Sequence, residues 1–141
     1  MNHGKSLFII LMLTGFVLVL IGCNLNKTNG EYTFVSTENP IVTHIYTADP
    51  SARVFNDTLW VYPSHDPDTA TWFSMVDWHV FSTTDMKHWT DHGVALALED
   101  ISWAENYAWA PDCEYKNGKY YFYYPTDQDF IGVAVDRKST R

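Results

Sequence analysis

Two short hairpin signals stand 61 residues apart in this chain, and that spacing constrains the fold more than any other feature. Ala52–Phe55, Asn56-Asp57 and Leu59–Tyr62 make the first; Cys113–Lys116, Asn117-Gly118 and Lys119–Tyr124 make the second. Asn-Gly tolerates positive φ at both turn positions and is the strongest short hairpin signal, with Asn-Asp a weaker version. The shift also lays Pro50 on Pro111, Val54 on Tyr115, Asn56 on Asn117 and Tyr62 on Tyr123. Val80–Ser82 and Ile131–Val135 predict a third strand after each hairpin, and Gly93–Leu98 a fourth after the first. No stretch carries a helical period, so the fold class is all-β. Repeated four-stranded units point to a β-propeller, whose blades number roughly 4 to 8. Two blades cannot close a ring, so about the first two blades of a longer propeller are expected here.

The first 22 residues read as an export signal outside the fold. A short segment bearing Lys5 precedes the apolar run Leu7–Ile21, which falls short of the roughly 20 residues that span a bilayer. Leu20-Ile21-Gly22-Cys23 resembles a bacterial lipobox, which implies lipidation of Cys23 and attachment to the cell envelope. Residues 23–38 then read as lipid anchor and polar tether, and 39–135 as the two blades. With a net charge of −8, the chain favours neither a nucleic-acid groove nor adsorption to anionic lipid. Membrane attachment is therefore expected through the lipid alone. Residues 136–141 hold no apolar position and match one reading frame of a common sequencing adapter, so they are expected not to be native sequence.

Only Cys113 remains once Cys23 is lipidated, which excludes an internal disulfide. Between Asp112 and Glu114, with no cation close in sequence, it reads as a small buried hydrophobe rather than a nucleophile. There is no Gly-rich phosphate loop, no metal-type His/Cys spacing and no Gly-x-Ser-x-Gly elbow, and no metal ligand is assigned. Two carboxylates do occupy related places in the repeat. Asp49 precedes Pro50 and Asp112 follows Pro111, each at the start of its unit's first strand. Through the 61-residue shift Asp112 falls on Ser51, which shares a strand face with position 49 under period-two alternation. First strands line a propeller's channel, so both acids are expected to look into one cavity. Paired carboxylates of this kind suit glycoside hydrolysis. Equally, an Asp beside Pro can simply satisfy local backbone donors.

The surrounding motifs carry a resemblance. Thr47-Ala48-Asp49-Pro50-Ser51 with Tyr62-Pro63-Ser64-His65-Asp66, then Asp77–Met86, Trp89–Gly93 and Trp109-Ala110-Pro111-Asp112, together resemble glycoside hydrolase family 43 over residues 39–135. The resemblance implies a five-bladed β-propeller that hydrolyses arabinose- or xylose-type glycosides of plant polysaccharide with inversion. By position, Asp49 is the general base and Asp112 the acid that orients the catalytic acid and raises its pKa. The catalytic Glu would lie on a later blade, beyond residue 141, so these residues alone are expected to be inactive. A metal-associated His would come from a later blade too; calcium is not required for the chemistry and cannot be assessed from these blades. Trp109, His65, Asp77 and His79 are candidates for contact with sugar. Each also has a structural alternative, blade packing for Trp109 and backbone capping for the others. Trp89 is expected under the next blade, and Tyr120–Tyr124 in a strand buried on both faces. The rival from another class is a surface glycan-binding lipoprotein without catalysis.

Overall fold

The computed structural model describes residues 31–127 and 129–136. Eight strands form there: β1 (Tyr32–Val35), β2 (Tyr46–Phe55), β3 (Thr58–Asp66), β4 (Asp77–Thr83), β5 (His88–Ala97), β6 (Asp112–Lys116), β7 (Lys119–Thr126) and β8 (Phe130–Val135). A 3-10 turn, Leu98–Asp100, follows β5, and no α-helix occurs among the described residues. The fold is all-β, in two antiparallel sheets. Blade one has the order β1-β5-β4-β3-β2, and blade two the order β6-β7-β8. Both hairpin signals act as read: Asn56, Asp57, Asn117 and Gly118 all have positive φ, so each two-residue turn continues the strand twist. The proposed lipidation site Cys23, the signal segment and residues 137–141 lie outside the described residues.

Alternation along each strand gives blade one two unlike faces. Phe55 on β2, Tyr62 on β3 and Trp78 on β4 meet blade two. Trp78 has no exposed surface; its ring centroid lies 5.3 Å from Tyr124 and 6.1 Å from Phe122. Its indole N–H donates to the Trp109 carbonyl oxygen at 2.7 Å, satisfying the one polar group that burial would otherwise strand. Phe55 against Tyr120 and Tyr62 against Phe122 extend the contact along the interface. Met75, Ile101 and Ala108, from the segments that join the strands and blades, close one end of this core. Beside these ring contacts a cleft of about 730 Å³ remains, lined also by Trp60, Val80, Leu96 and Val135. Close approach is built in at Gly132. It pairs across from Tyr124, and a Cβ there would fall 2.1 Å from the tyrosine ring.

Two sequence expectations need correction. β1 lies inside the stretch read as tether. Its Tyr-Thr-Phe-Val alternation pairs with β5, and Phe34 packs edge-on to Phe81 at 6.2 Å. Trp89 is buried on blade one's opposite face, where it lines a pocket together with residues 39–42, Val61, Pro63 and Phe81, instead of sitting under the next blade. Within the described residues Tyr120–Tyr124 has one face against blade one, and the other lies on the side that a further blade would cover. Tyr124 is buried against blade one, while Tyr123 shares an exposed face with Ile131 and Val133.

Trp78→Ala is expected to destabilise the protein by about 3–5 kcal/mol, since it empties the centre of the interface. Val54→Ala, at an exposed site on β2, should change stability by less than about 0.5 kcal/mol. Denaturant unfolding of both variants checks this contrast.

Candidate active site

β2 and β6 are edge strands of their sheets and neighbours across the interface. Asp112 opens β6, with its side chain partly exposed. One carboxylate oxygen accepts from the Cys113 N–H at 2.8 Å, and the other accepts from Arg53 Nη2. Arg53 lies on β2, and its Nε also donates to the Cys113 carbonyl oxygen at 3.1 Å. A single guanidinium therefore fastens β2 of blade one to β6 of blade two. Its planar fork suits that task, holding a carboxylate and a carbonyl at once. Arg53 was not among the residues singled out from sequence. The available signal was its period-two relation to Ser51 and Phe55, which places it on the face toward blade two.

Asp49 reaches its position by a different route from the one expected. Ala48 pairs with Ser64 and Ser51 with Tyr62, so Asp49 and Pro50 together oppose Pro63 in a β-bulge. Asp49 has φ 48°, a left-handed conformation that Asp tolerates better than most residues. Alternation therefore does not pass through position 49, and the shared-face argument for positions 49 and 51 fails there. The bulge frees the carboxylate from the sheet faces and leaves Asp49 exposed.

His65, Asp77 and His79 lie on blade one's other face, as part of a chain of imidazoles and carboxylates. His65 Nδ1 is 2.8 Å from Asp77 Oδ1, and His79 Nε2 is 3.7 Å from the same oxygen. His79 Nδ1 faces Asp91 Oδ1 at 3.5 Å, and Asp91 is held by His44 Nε2 at 2.8 Å and by the Gly93 N–H at 2.7 Å. The hydrogen bond with Asp77 raises the His65 pKa, and burial opposes it. At Asp91, burial pushes the pKa up, but its imidazole and backbone partners outweigh that and bring it to about 2. His44 was not singled out from sequence and Asp91 only as part of the Trp89–Gly93 motif; the two stand 47 residues apart, beyond any local motif. Asp66 accepts the Ser74 N–H at 2.7 Å, a capping contact within its own loop. Trp109 is half-buried, with its ring stacked on Tyr107 at 5.0 Å.

Cys113 is buried, as expected. Burial is the largest influence on its thiol and raises the pKa; a hydrogen bond with Tyr62 opposes that. Burial likewise drives the Tyr62 phenol well above its ordinary value.

The sequence model described as "Glycosyl hydrolases family 43" matches residues 37–139. The chain belongs to glycosyl hydrolases family 43. Among its relatives, a xylosidase/arabinosidase 43A of Humicola insolens is 49% identical over 113 residues, covering 70% of this chain and 35% of that protein. A xylosidase/arabinosidase of Bacteroides ovatus is 44% identical over 106 residues, covering 66% and 33%. Among solved structures, a family 43 β-xylosidase/α-arabinofuranosidase from a compost metagenome, in complex with xylotriose and calcium-free, superposes with a TM-score of 0.67. It is 46% identical and covers 77% of this chain and 36% of that one. This family 43 chain thus spans about a third of the length of the relatives it matches. Its two sheets are blades of the five-bladed propeller to which those neighbours belong. The matched segment takes in Asp49, Arg53 and Asp112.

In a Cys23→Ser background, iodoacetamide at pH 8 should leave Cys113 unmodified in the native protein and alkylate it fully in denaturant. Mass spectrometry of the labelled peptide checks this; stoichiometric labelling of native protein would contradict the buried, raised-pKa thiol.

Proposed function

We propose that the protein hydrolyses glycosidic bonds of arabinose- or xylose-type sugars in plant cell-wall polysaccharides or oligosaccharides, with inversion at the anomeric carbon. The observation that carries this reading is the Arg53 bridge. It ties the strand bearing Asp49 to the residue Asp112 in a chain whose family and relatives are glycosidases.

In this mechanism Asp49 is the general base. Its exposed carboxylate takes a proton from water as that water attacks the anomeric carbon, and the bond to the leaving oxygen breaks on the opposite side. Placement on a bulge suits a base, because the carboxylate stands clear of strand packing while its backbone remains paired on either side. Asp112 orients the catalytic acid and, as a neighbouring negative charge, keeps that acid protonated until the leaving group needs its proton. Arg53 fixes which way Asp112 points. The catalytic acid is a Glu on a later blade, beyond residue 141, so residues 1–141 alone are inactive. Room for the attacking water requires the base and that Glu to stand roughly 6.5–9.5 Å apart. Trp109 contributes an apolar face against a sugar ring. The protein is exported and held at the bacterial cell envelope by lipid on Cys23.

Asp49→Asn in the full-length protein should lower kcat on p-nitrophenyl xyloside or arabinofuranoside by about 10²–10⁴-fold, with the fold intact by circular dichroism. Proton NMR of the wild-type reaction should show the anomer of inverted configuration forming first. Retention of configuration, or an Asp49→Asn enzyme of normal kcat, would refute the proposal. Metabolic labelling with palmitate should mark the wild-type protein and not Cys23→Ala; equal labelling would refute the anchor.

A further inference from the structure

The imidazole–carboxylate cluster on blade one is not needed for the chemistry above, and its geometry suggests a separate role. We propose that His65, Asp77 and His79 bind a borderline divalent transition-metal ion, with zinc the best match. One ligand atom from each lies within 4.8 Å of the others. Asp77 Oδ1 is the shared corner, 2.8 Å from His65 Nδ1 and 3.7 Å from His79 Nε2. Tetrahedral bonds of about 2.0–2.1 Å set neighbouring ligand atoms roughly 3.3 Å apart. Shifts of about half an ångström bring both pairs with Asp77 to that spacing, and rotation of the imidazoles closes the third side.

The fold presents the three residues rigidly. His65 and Asp77 are direct cross-strand partners on β3 and β4, and His79 follows two positions along β4 on the same face. Their side chains are only 17%, 14% and 11% exposed, which holds an ion there away from bulk solvent. Nothing in the spacing resembles a familiar zinc motif. The sheet brings the residues together.

The ring nitrogen of His79 that faces away from the ion also has a carboxylate within reach. His79 Nδ1 is buried and has no hydrogen-bond partner, although Asp91 Oδ1 lies 3.5 Å away. An ion on Nε2 fixes the proton on Nδ1 and turns that N–H toward Asp91, completing a carboxylate–histidine–metal arrangement. Asp91 is already held for this by His44 and the Gly93 N–H.

The donor set selects the ion. Two imidazoles and one carboxylate suit zinc and its neighbours, whereas calcium takes six to eight oxygens. The site is thus distinct from any calcium associated with a His of a later blade. Three protein ligands leave a fourth position for water or a small anion. Because His65 pairs with Thr47 on β2, an ion here would also brace the strand end that leads into the Asp49 bulge.

The test uses the full chain, stripped with chelator and titrated with Zn²⁺ against a chromophoric competitor. One equivalent should bind per chain, in the presence of excess Ca²⁺, and Co²⁺ should give the intense visible absorption of a four-coordinate site. His65→Gln and His79→Gln should each weaken Zn²⁺ binding at least tenfold. Asp91→Asn, which touches no metal, should weaken it by about 10–100-fold. Circular dichroism confirms folding, and if one variant fails to fold the other two carry the comparison. Absence of stoichiometric binding, displacement by Ca²⁺, or unchanged affinity in the folded variants would overturn the proposal.

Discussion

Blade one is held on blade two by Trp78. Its indole fills the space between the sheets, and its one polar atom is satisfied by the Trp109 carbonyl, so the largest side chain of the interface is buried with no unpaired donor. Full burial of an aromatic of this size is worth a few kcal/mol, comparable with a large share of a domain's net stability. Everything that concerns chemistry depends on that contact. It sets the approach of β2 and β6, and only with those strands adjacent can Arg53 reach both the Asp112 carboxylate and the Cys113 carbonyl. The bond to Trp109 also anchors the backbone two residues before Pro111, which opens blade two.

The two faces of blade one have different tasks. The face toward blade two is aromatic and dry, and it fixes geometry between the sheets. The opposite face carries aromatic packing around Phe81 and Trp89 beside a polar chain that runs from His65 through Asp77, His79 and Asp91 to His44. Buried carboxylates normally cost stability unless they are paired, and each here is held by at least one imidazole. That arrangement gathers paired carboxylates and imidazoles within one sheet, next to the bulge that carries Asp49.

Much of the fold was legible because its signals are local. Asn56-Asp57 and Asn117-Gly118 specify their turns through positive φ alone, and the 61-residue repeat follows from two copies of one unit. β1 was hidden because four residues of alternation beside a polar stretch do not differ from a linker until β5 supplies a partner. At the site, Asp49 and Asp112 were visible through their prolines, but the bulge was not. Strand alternation predicts which way a side chain points only where the register is unbroken, and Ala48–Ser51 breaks it. The pairings of Arg53, His44 and Asp91 escaped because the partners are distant in sequence and only tertiary packing brings them together.

The central claim is that Asp49 and Asp112 serve one sugar-binding site across the blade interface. A crystal structure of the full-length protein, inactivated and soaked with a xylo-oligosaccharide, tests it most directly. The account expects the carboxyl groups at positions 49 and 112 to flank the same pentose ring, with position 49 within hydrogen-bond reach, about 3 Å, of a water on the face opposite the leaving group. A sugar bound elsewhere, or a ring flanked by one of the two residues while the other faces bulk solvent on another side of the blades, would contradict it.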